Sequence, residues 1–83
     1  MSSKQFAEYD EEADVLYITL LDAEVDDTFE LDDVRMVDYT ADRQVVGVEF
    51  VSPSAGIDLT DVPFAKIVEK LIGLAGYSFK VFA

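Results

Sequence analysis

The sequence predicts a small α+β domain, in which an antiparallel β-meander of four to six strands is packed by one helix on its apolar face. Three observations predict this fold. Short segments of alternating apolar and polar residues, separated by turns, fill most of 6–51, and a period of two is typical of half-buried strands. The stretch 62–75 instead has apolar residues at helical spacing. The 83 residues correspond to a single domain, 1–83.

The first predicted strand is short and has Phe6 and Tyr9 as its anchors, whereas the second is dense in β-branched and aromatic residues. The second strand is the most strongly predicted, and it follows a carboxylate-rich turn at 11–14. The last two strands form a hairpin around the turn 41–44. The predicted strands lie at 6–10, 15–20, 25–31, 35–40 and 45–51.

The alternation also predicts which side chains face the core, because successive strand residues point to opposite faces of a sheet. The predicted core face holds Leu16, Ile18, Leu20, Val25, Phe29, Leu31, Val37, Tyr39, Val46, Val48 and Phe50. The other face mixes carboxylates with apolar groups and holds Val15, Tyr17, Thr19, Thr28, Glu30, Met36, Asp38, Val45, Gly47 and Glu49. Asp27 has the parity of the core face, so we expect it at the rim or bonded to a backbone donor.

A helix is predicted at 62–75, after the loop 52–61. Thr60 or Asp61 is placed to cap this helix, and Pro63 suits its first turn. The helix should cover the apolar face of the sheet with a stripe formed by Phe64, Ile67, Val68, Leu71 and Leu74.

The C-terminal segment 77–82 alternates again and is strongly aromatic. It is predicted to pair as an edge strand, either in its own subunit or across a dimer, and both alternatives are open at this point. A homodimer is expected, because so much apolar area is rarely left in water on a small domain. The predicted interface residues are Tyr17, Met36, Tyr77, Phe79 and Phe82.

The charge balance constrains the partners of the chain. Its 18 acidic and 6 basic residues give a net charge of -12. Such a surface repels phosphates, which argues against nucleic acid and anionic membranes as partners. A basic protein or a cation is electrostatically favoured. The alternative is an acidic coat that serves solubility, as in a salt-adapted cell.

The residue types that are missing narrow the chemistry further. The sequence contains no Cys and no His, so a disulfide, a Cys nucleophile and a His base are all ruled out. We therefore predict no catalytic residues and no cofactor. Residues 1–5 lack the basic and apolar regions of a secretory signal, and a cytoplasmic location is the expectation.

Two strand signatures point to a family. The first is 9–18, Tyr-Asp-Glu-Glu-Ala-Asp-Val-Leu-Tyr-Ile, and the second combines Val-Asp-Tyr at 37–39 with Val-Gly-Val-Glu-Phe at 46–50. Together they resemble the domain-of-unknown-function 2283 family of small bacterial and archaeal proteins. The resemblance implies a β-meander packed by a helix, and it supplies no activity and no catalytic residues. Because some members look like companions of small toxin-like proteins, it also suggests an antitoxin-like role.

One position departs from the pattern of that family. Its members commonly have Asp-Gly in the last hairpin turn, whereas here Asp42 is followed by Arg43. Arginine adopts a positive φ poorly, so a different turn type is expected.

Three carboxylates form the sharpest candidate site. Glu30, Asp38 and Glu49 lie on the non-core face of three consecutive predicted strands, and Gly47 should leave space above the sheet opposite Asp38. Clustered carboxylates repel one another unless a cation such as Mg²⁺ or a partner's Lys or Arg compensates them. The alternative is three separate acids that face water. Asp10, Glu12 and Asp14 begin like a calcium loop, but the later positions of that motif do not match.

The tyrosines have a structural interpretation. Tyr39 is predicted to belong to the core, and Tyr9 and Tyr17 are predicted to flank an interface with their hydroxyls in water. Three functions then follow from the sequence. The leading one is a non-enzymatic protein-interaction module, antitoxin-like in form. The alternatives are a metal-binding or metal-dependent protein that uses the carboxylate cluster and a structural homodimer with a salt-adapted acidic surface.

Overall fold

A computed structural model of the chain describes residues 4–82. Residues 1–3 and Ala83, which the predicted domain includes, lie outside the described residues. The helical elements are a 3₁₀ helix at Pro53–Ala55 and the α-helix α1, Ala65–Leu74. The strands are β1 (Phe6–Asp10), β2 (Val15–Thr19), β3 (Asp27–Asp32), β4 (Arg35–Tyr39), β5 (Val45–Val51), β6 (Ile57–Asp58) and β7 (Val81–Phe82).

The five longer strands form one antiparallel sheet with the order β1-β2-β5-β4-β3. Together with α1, this sheet confirms the predicted α+β fold. The strand order departs from a simple meander at one place, because β2 pairs with β5 and the chain then crosses to the far edge before β3 begins. As a result β5 is the central strand, and β1 and β3 are the two edges.

The core lies on one face of the sheet. Its fully buried strand residues include Leu16, Ile18, Val48 and Phe50, and the register places Leu16 opposite Phe50 and Ile18 opposite Val48. Two layers cover them, each contributing buried side chains to one cluster. The loop after β5 supplies Ile57, Leu59 and Val62, and α1 supplies Val68, Leu71 and Ile72. The loop therefore contributes as many of these buried side chains as the helix does.

The helix begins later than predicted, and it buries a different stripe. Its N-cap is Phe64, which has a left-handed backbone (φ 56°) and makes no side-chain cap, so the predicted capping by Thr60 or Asp61 is wrong. Phe64 and Leu74 are 59% and 73% exposed, respectively. The helix contacts β1 and β2, and from that position Ile72 rather than Leu74 completes its buried face.

The half of the sheet that α1 does not contact is only partly covered. Val25 and Phe29 were expected in the core, but they are 49% and 52% exposed because the helix lies over the opposite half. Asp27 lies exposed at the edge, as predicted, and forms an ion pair with Arg43.

A β-bulge changes the facing of two valines. The register of β4 and β5 shifts between Asp38, which pairs with Gly47, and Tyr39, which pairs with Val45. Val46 is the extra residue of β5, and one extra residue reverses the alternation beyond it. Val45 therefore packs against the core cluster with Tyr39, contrary to its expected assignment, whereas Val46 is buried, at 5% exposure, without belonging to that cluster.

Arg43 occupies the turn position where members of the family that the sequence resembles commonly have glycine. Its φ is 68°, so the arginine itself adopts the left-handed backbone that glycine adopts without strain. Its guanidinium lies 4.4 Å from the ring centroid of Tyr39, and Nη1 lies 3.1 Å from a carboxylate oxygen of Asp27. These two contacts offset part of the backbone strain.

The C-terminal segment pairs within its own subunit. β7 forms a two-stranded parallel sheet with β6, in which Ile57 is opposite Val81. Ahead of β7, Tyr77 and Phe79 pack edge-on against Tyr9, with ring centroids 5.3 and 5.0 Å from its own. The phenol of Tyr9 thus joins an aromatic cluster on the core side.

Arg35 joins the sheet to the loop that precedes α1. Its guanidinium donates to Asp32 through two nitrogens, at 3.0 and 2.8 Å, and to the backbone carbonyls of Asp58 and Thr60. The same guanidinium holds the pKa of Asp32 below its usual value. The Arg35 side chain is only 11% exposed, whereas that of Arg43 is 59% exposed.

These two arginines provide a matched pair of stability tests. Arg35→Met is expected to lower the free energy of unfolding by about 1–3 kcal/mol, because it leaves a carboxylate and two carbonyls without their donor. Arg43→Met removes an exposed ion pair and should change the free energy of unfolding by less than about 1 kcal/mol. Urea unfolding measures both. Equal losses would mean that Arg35 does not hold the loop to the sheet.

Candidate functional site

The candidate site is the face of the five-stranded sheet that lies away from α1, here called the open face. The strand register arranges its side chains in rows that cross all five strands. One row runs, from edge to edge, through Glu8, Tyr17, Glu49, Met36 and Glu30. The next row runs through Phe6, Thr19, Gly47, Asp38 and Thr28.

Tyr17 occupies the centre of the open face and reaches diagonally across β5. A Cβ atom built on Gly47 would lie 2.6 Å from Cζ of Tyr17, so the phenol lies directly over this glycine. Its hydroxyl donates to Oδ2 of Asp38 at 2.7 Å. The predicted space opposite Asp38 is therefore filled, and the Tyr17 hydroxyl, expected in water, has a carboxylate partner instead.

Asp38 accepts a second hydroxyl from the edge strand. Oγ1 of Thr28 donates to its Oδ1 at 2.6 Å, so each carboxylate oxygen has one donor. The network Tyr17–Asp38–Thr28 spans β2, β4 and β3, with Gly47 of β5 beneath it. The hydroxyls of Tyr17 and Thr28 are therefore the side-chain donors to Asp38 among the described residues.

The environment of Tyr17 favours its protonated form. Burial raises the pKa of its phenol, and the hydrogen bond to Asp38 and the charges of Asp38 and Glu49 raise it further. A phenolate at this position would lose its hydration and would face a carboxylate at hydrogen-bond distance. Tyr17 consequently acts as a hydrogen-bond donor that holds Asp38 in place.

The three candidate metal ligands lie on neighbouring strands, as predicted, but they do not converge. Met36 separates Glu30 from Glu49 in their row, and Asp38 lies in the next row with its own hydroxyl donors. Across residues 4–82, no three acidic side chains come close enough to one another to hold a metal ion. The carboxylates of the open face are therefore separate charges.

The acidic turn before β2 forms a second polar cluster. Asp14 accepts hydrogen bonds from the hydroxyls of Ser54 and Tyr9, and Asp10 accepts from the backbone N–H of Ala13. The donors of Ser54 and Tyr9 lower the pKa of Asp14, and the bond to Asp14 raises the pKa of Tyr9. This cluster ties the turn to the 3₁₀ helix. The sequence carries no sign of this cluster, because Asp14 and Ser54 are 40 residues apart in the chain.

The five predicted interface residues fall into two separate regions. Tyr17 and Met36 are half-buried on the open face. Tyr77 and Phe79 belong to the aromatic cluster on Tyr9, and the ring of Phe82 lies over Gly56. The C-terminal aromatics therefore make contacts inside the subunit, although Tyr77 and Phe82 stay 38% and 50% exposed, and the open face is the surface that continues across all five strands.

The open face has a uniform charge. Five of the strand positions on this face are acidic, and no strand position on it is basic. The acidic positions are Glu8, Asp10, Glu30, Asp38 and Glu49. The apolar contribution comes from Val15, Tyr17 and Met36, which lie between the acids. This combination of separate charges and half-buried apolar groups is suited to binding.

A surface cavity of about 340 Å³ lies at the end of the sheet, between the β4–β5 turn and the start of α1. Its lining is mostly apolar and includes Leu20, Phe64 and Ile67, and its charged group, Arg43, is already paired with Asp27. It contains no carboxylate and therefore no acid–base pair. No helix within residues 4–82 has the length and hydropathy needed to cross a membrane.

Comparison with known protein families gives a match that covers more than half of the chain. The family model DUF2283, described as a protein of unknown function, matches residues 7–53. The match covers almost all of the five-stranded sheet, including the open face, and excludes α1 and the C-terminal segment. No curated protein and no solved structure matches the chain.

The contact between Gly47 and Tyr17 can be tested with two glycine variants. Gly47→Ala is expected to lower the free energy of unfolding by about 1–3 kcal/mol, because its methyl group meets the phenol and the Ile18 carbonyl. Gly73 lies in the helix with open space around it, so Gly73→Ala should raise the free energy of unfolding by about 0.5–1 kcal/mol. Urea unfolding compares them, and a neutral Gly47→Ala would contradict the placement of Tyr17.

The protonation of Tyr17 can be tested by alkaline titration of tyrosinate absorbance. Because the folded-state pKa of Tyr17 is raised, its contribution to stability is complete below the pKa of a free tyrosine, about 10. It is lost as the pH rises through the folded-state pKa. The ionisation step at the highest pH should vanish in Tyr17→Phe and persist in Tyr9→Phe. Its persistence in Tyr17→Phe would show that Tyr17 is not the buried phenol.

Proposed function

The chain belongs to the DUF2283 family, and we propose that it is a non-enzymatic protein-interaction module that binds a basic protein through its open face. The observation that carries the proposal is the uniform charge of that face, where five strand positions are acidic and none is basic. A surface of one sign attracts a partner of the opposite sign and repels copies of itself.

The hydrogen-bond network gives this surface a defined shape before binding. Asp38 is held by Tyr17 and Thr28, and the Tyr17 ring is held against Gly47. Side chains that are ordered in the free protein lose little conformational entropy when a partner binds. The phenol and the neighbouring Met36 therefore provide pre-ordered apolar contacts between the carboxylates.

The charge also argues for a different protein as partner. A two-fold dimer through the open face would place the acids of one copy against those of the other, and each copy has a net charge of -12. A basic protein would neutralise them instead. An antitoxin-like role, in which this chain covers a basic companion, is the form of the function that the family resemblance suggests. The predicted homodimer stays a prediction.

The proposal can be tested by purifying the tagged chain from its host at moderate salt. A basic protein should copurify at a fixed stoichiometry, measured by light scattering and mass spectrometry, and should dissociate at high salt. When the two purified proteins are mixed, this partner should bind the Glu49→Gln variant at least about tenfold more weakly than the unchanged chain. That is a loss of roughly 1.4 kcal/mol of binding free energy. Glu69→Gln, which removes the same charge from the exposed face of α1, is the control.

Two results would contradict the proposal. The first is a chain that purifies alone at low and moderate salt, with no basic companion. The second is a partner that binds Glu49→Gln and Glu69→Gln equally well, since the open face would then contribute nothing beyond overall charge.

A further inference from the structure

We propose that the basic partner binds by strand addition, with an extended segment of alternating basic and apolar residues pairing along the free edge of β3. This inference rests on the proposed function and adds to it the binding mode and the chemistry of the bound segment. The segment would form a sixth strand beside β3 and would continue the rows of the open face.

The first support is the free hydrogen-bonding edge of β3. In the five-stranded sheet β3 pairs on one side with β4, and among residues 4–82 no strand pairs with its other side. An edge strand has alternate N–H and C=O groups that point away from its neighbour and can pair with an added strand. β3 has six residues, and its pairing with β4 is regular from Asp27 to Glu30, before a register shift between Glu30 and Asp32.

The second support is the difference between the two edges of the sheet. β1 is packed by α1, and its Tyr9 lies under the rings of Tyr77 and Phe79. β3 has no such cover, and five of its six residues are exposed. Phe29 is exposed on the core face of this strand, and Val25 is exposed just before the strand begins. An added strand would bury the exposed apolar area at β3, whereas at β1 Tyr9 is already packed within the subunit and Phe6 is 40% exposed.

The third support is charge, which selects the occupant. Between 24 and 33 the acidic residues are Glu24, Asp26, Asp27, Glu30, Asp32 and Asp33. Of these, Asp27 and Asp32 form ion pairs within the described residues. A second copy pairing at this edge would place acids opposite acids, which destabilises a strand pair. A basic segment would place opposite charges there.

The alternation of β3 defines the pattern of the segment. Thr28 and Glu30 point to the open face. Phe29 points to the opposite face of the sheet, the core face, where Leu31 packs against the core cluster. A strand beside β3 follows the same period of two. Its basic residues would therefore lie next to Glu30, and its apolar residues would lie next to Phe29.

The test uses a capped peptide of alternating Lys and Val with the full chain. Binding should slow amide hydrogen exchange in β3 and leave exchange in β1 unchanged. Glu30→Lys should weaken binding at least about tenfold, because it places a like charge beside the peptide. Glu69→Lys is a matched control, since it makes the same charge change on the exposed face of α1, away from the open face and from β3. It should weaken binding by less than about threefold.

A second pair of variants tests the apolar contact. Phe29→Thr should weaken binding, whereas Phe6→Thr, at the exposed β1 edge, should not. Urea unfolding of each variant separates loss of binding from loss of folding. A peptide with the same composition but with its Lys and Val in two blocks should bind more weakly, because it cannot place both residue types in register.

The outcomes separate the binding mode from the function. Salt-sensitive peptide binding with equal losses in Glu30→Lys and Glu69→Lys, or with protection away from β3, overturns strand addition, whereas the host copurification tests the interaction module separately. Protection of β3 in a self-associated chain without peptide means that a second copy occupies the edge, which also overturns it. Failure of the peptide and of the host copurification together overturns both proposals.

Discussion

The central position of β5 is the constraint on which the rest of the structure depends. Its Val48 and Phe50 are buried between β2 and β4 on the core face, and its Gly47 lies under Tyr17 on the open face. Both arrangements require β2 to pair with β5. Any side chain at position 47 would collide with the phenol of Tyr17 or with the backbone carbonyl of Ile18. The packing of the open face and that of the core face therefore both depend on Gly47.

The two faces are stabilised in different ways. The core face is apolar, and burial of its side chains beneath the loop and α1 provides the main driving force for folding. The open face is held by hydrogen bonds between Tyr17, Asp38 and Thr28, which join three strands. Because these groups satisfy one another, the sheet presents an ordered acidic surface without a second layer to cover it.

The uneven cover of the sheet connects the fold to the proposed function. A ten-residue helix spans about 15 Å, which is too short to extend over the width of five strands. It contacts the half that contains β1 and β2, and the C-terminal aromatics pack against Tyr9 in the same region. The β3 edge is left with exposed Phe29 and a high density of acids, which favour a basic strand over a second copy.

Local patterns in the sequence determined the strand positions, the acidic character of the open face and the family, because alternation and composition are properties of neighbouring residues. The contact of Tyr17 with Asp38 depended on the pairing of β2 with β5, which joins residues far apart in the chain. The bulge at Val46 and the docking position of α1 likewise reversed the expected facing of Val45 and exposed Leu74. Only the tertiary structure decides these features, because each depends on which surfaces meet, and periodicity within one element carries no information about its neighbour.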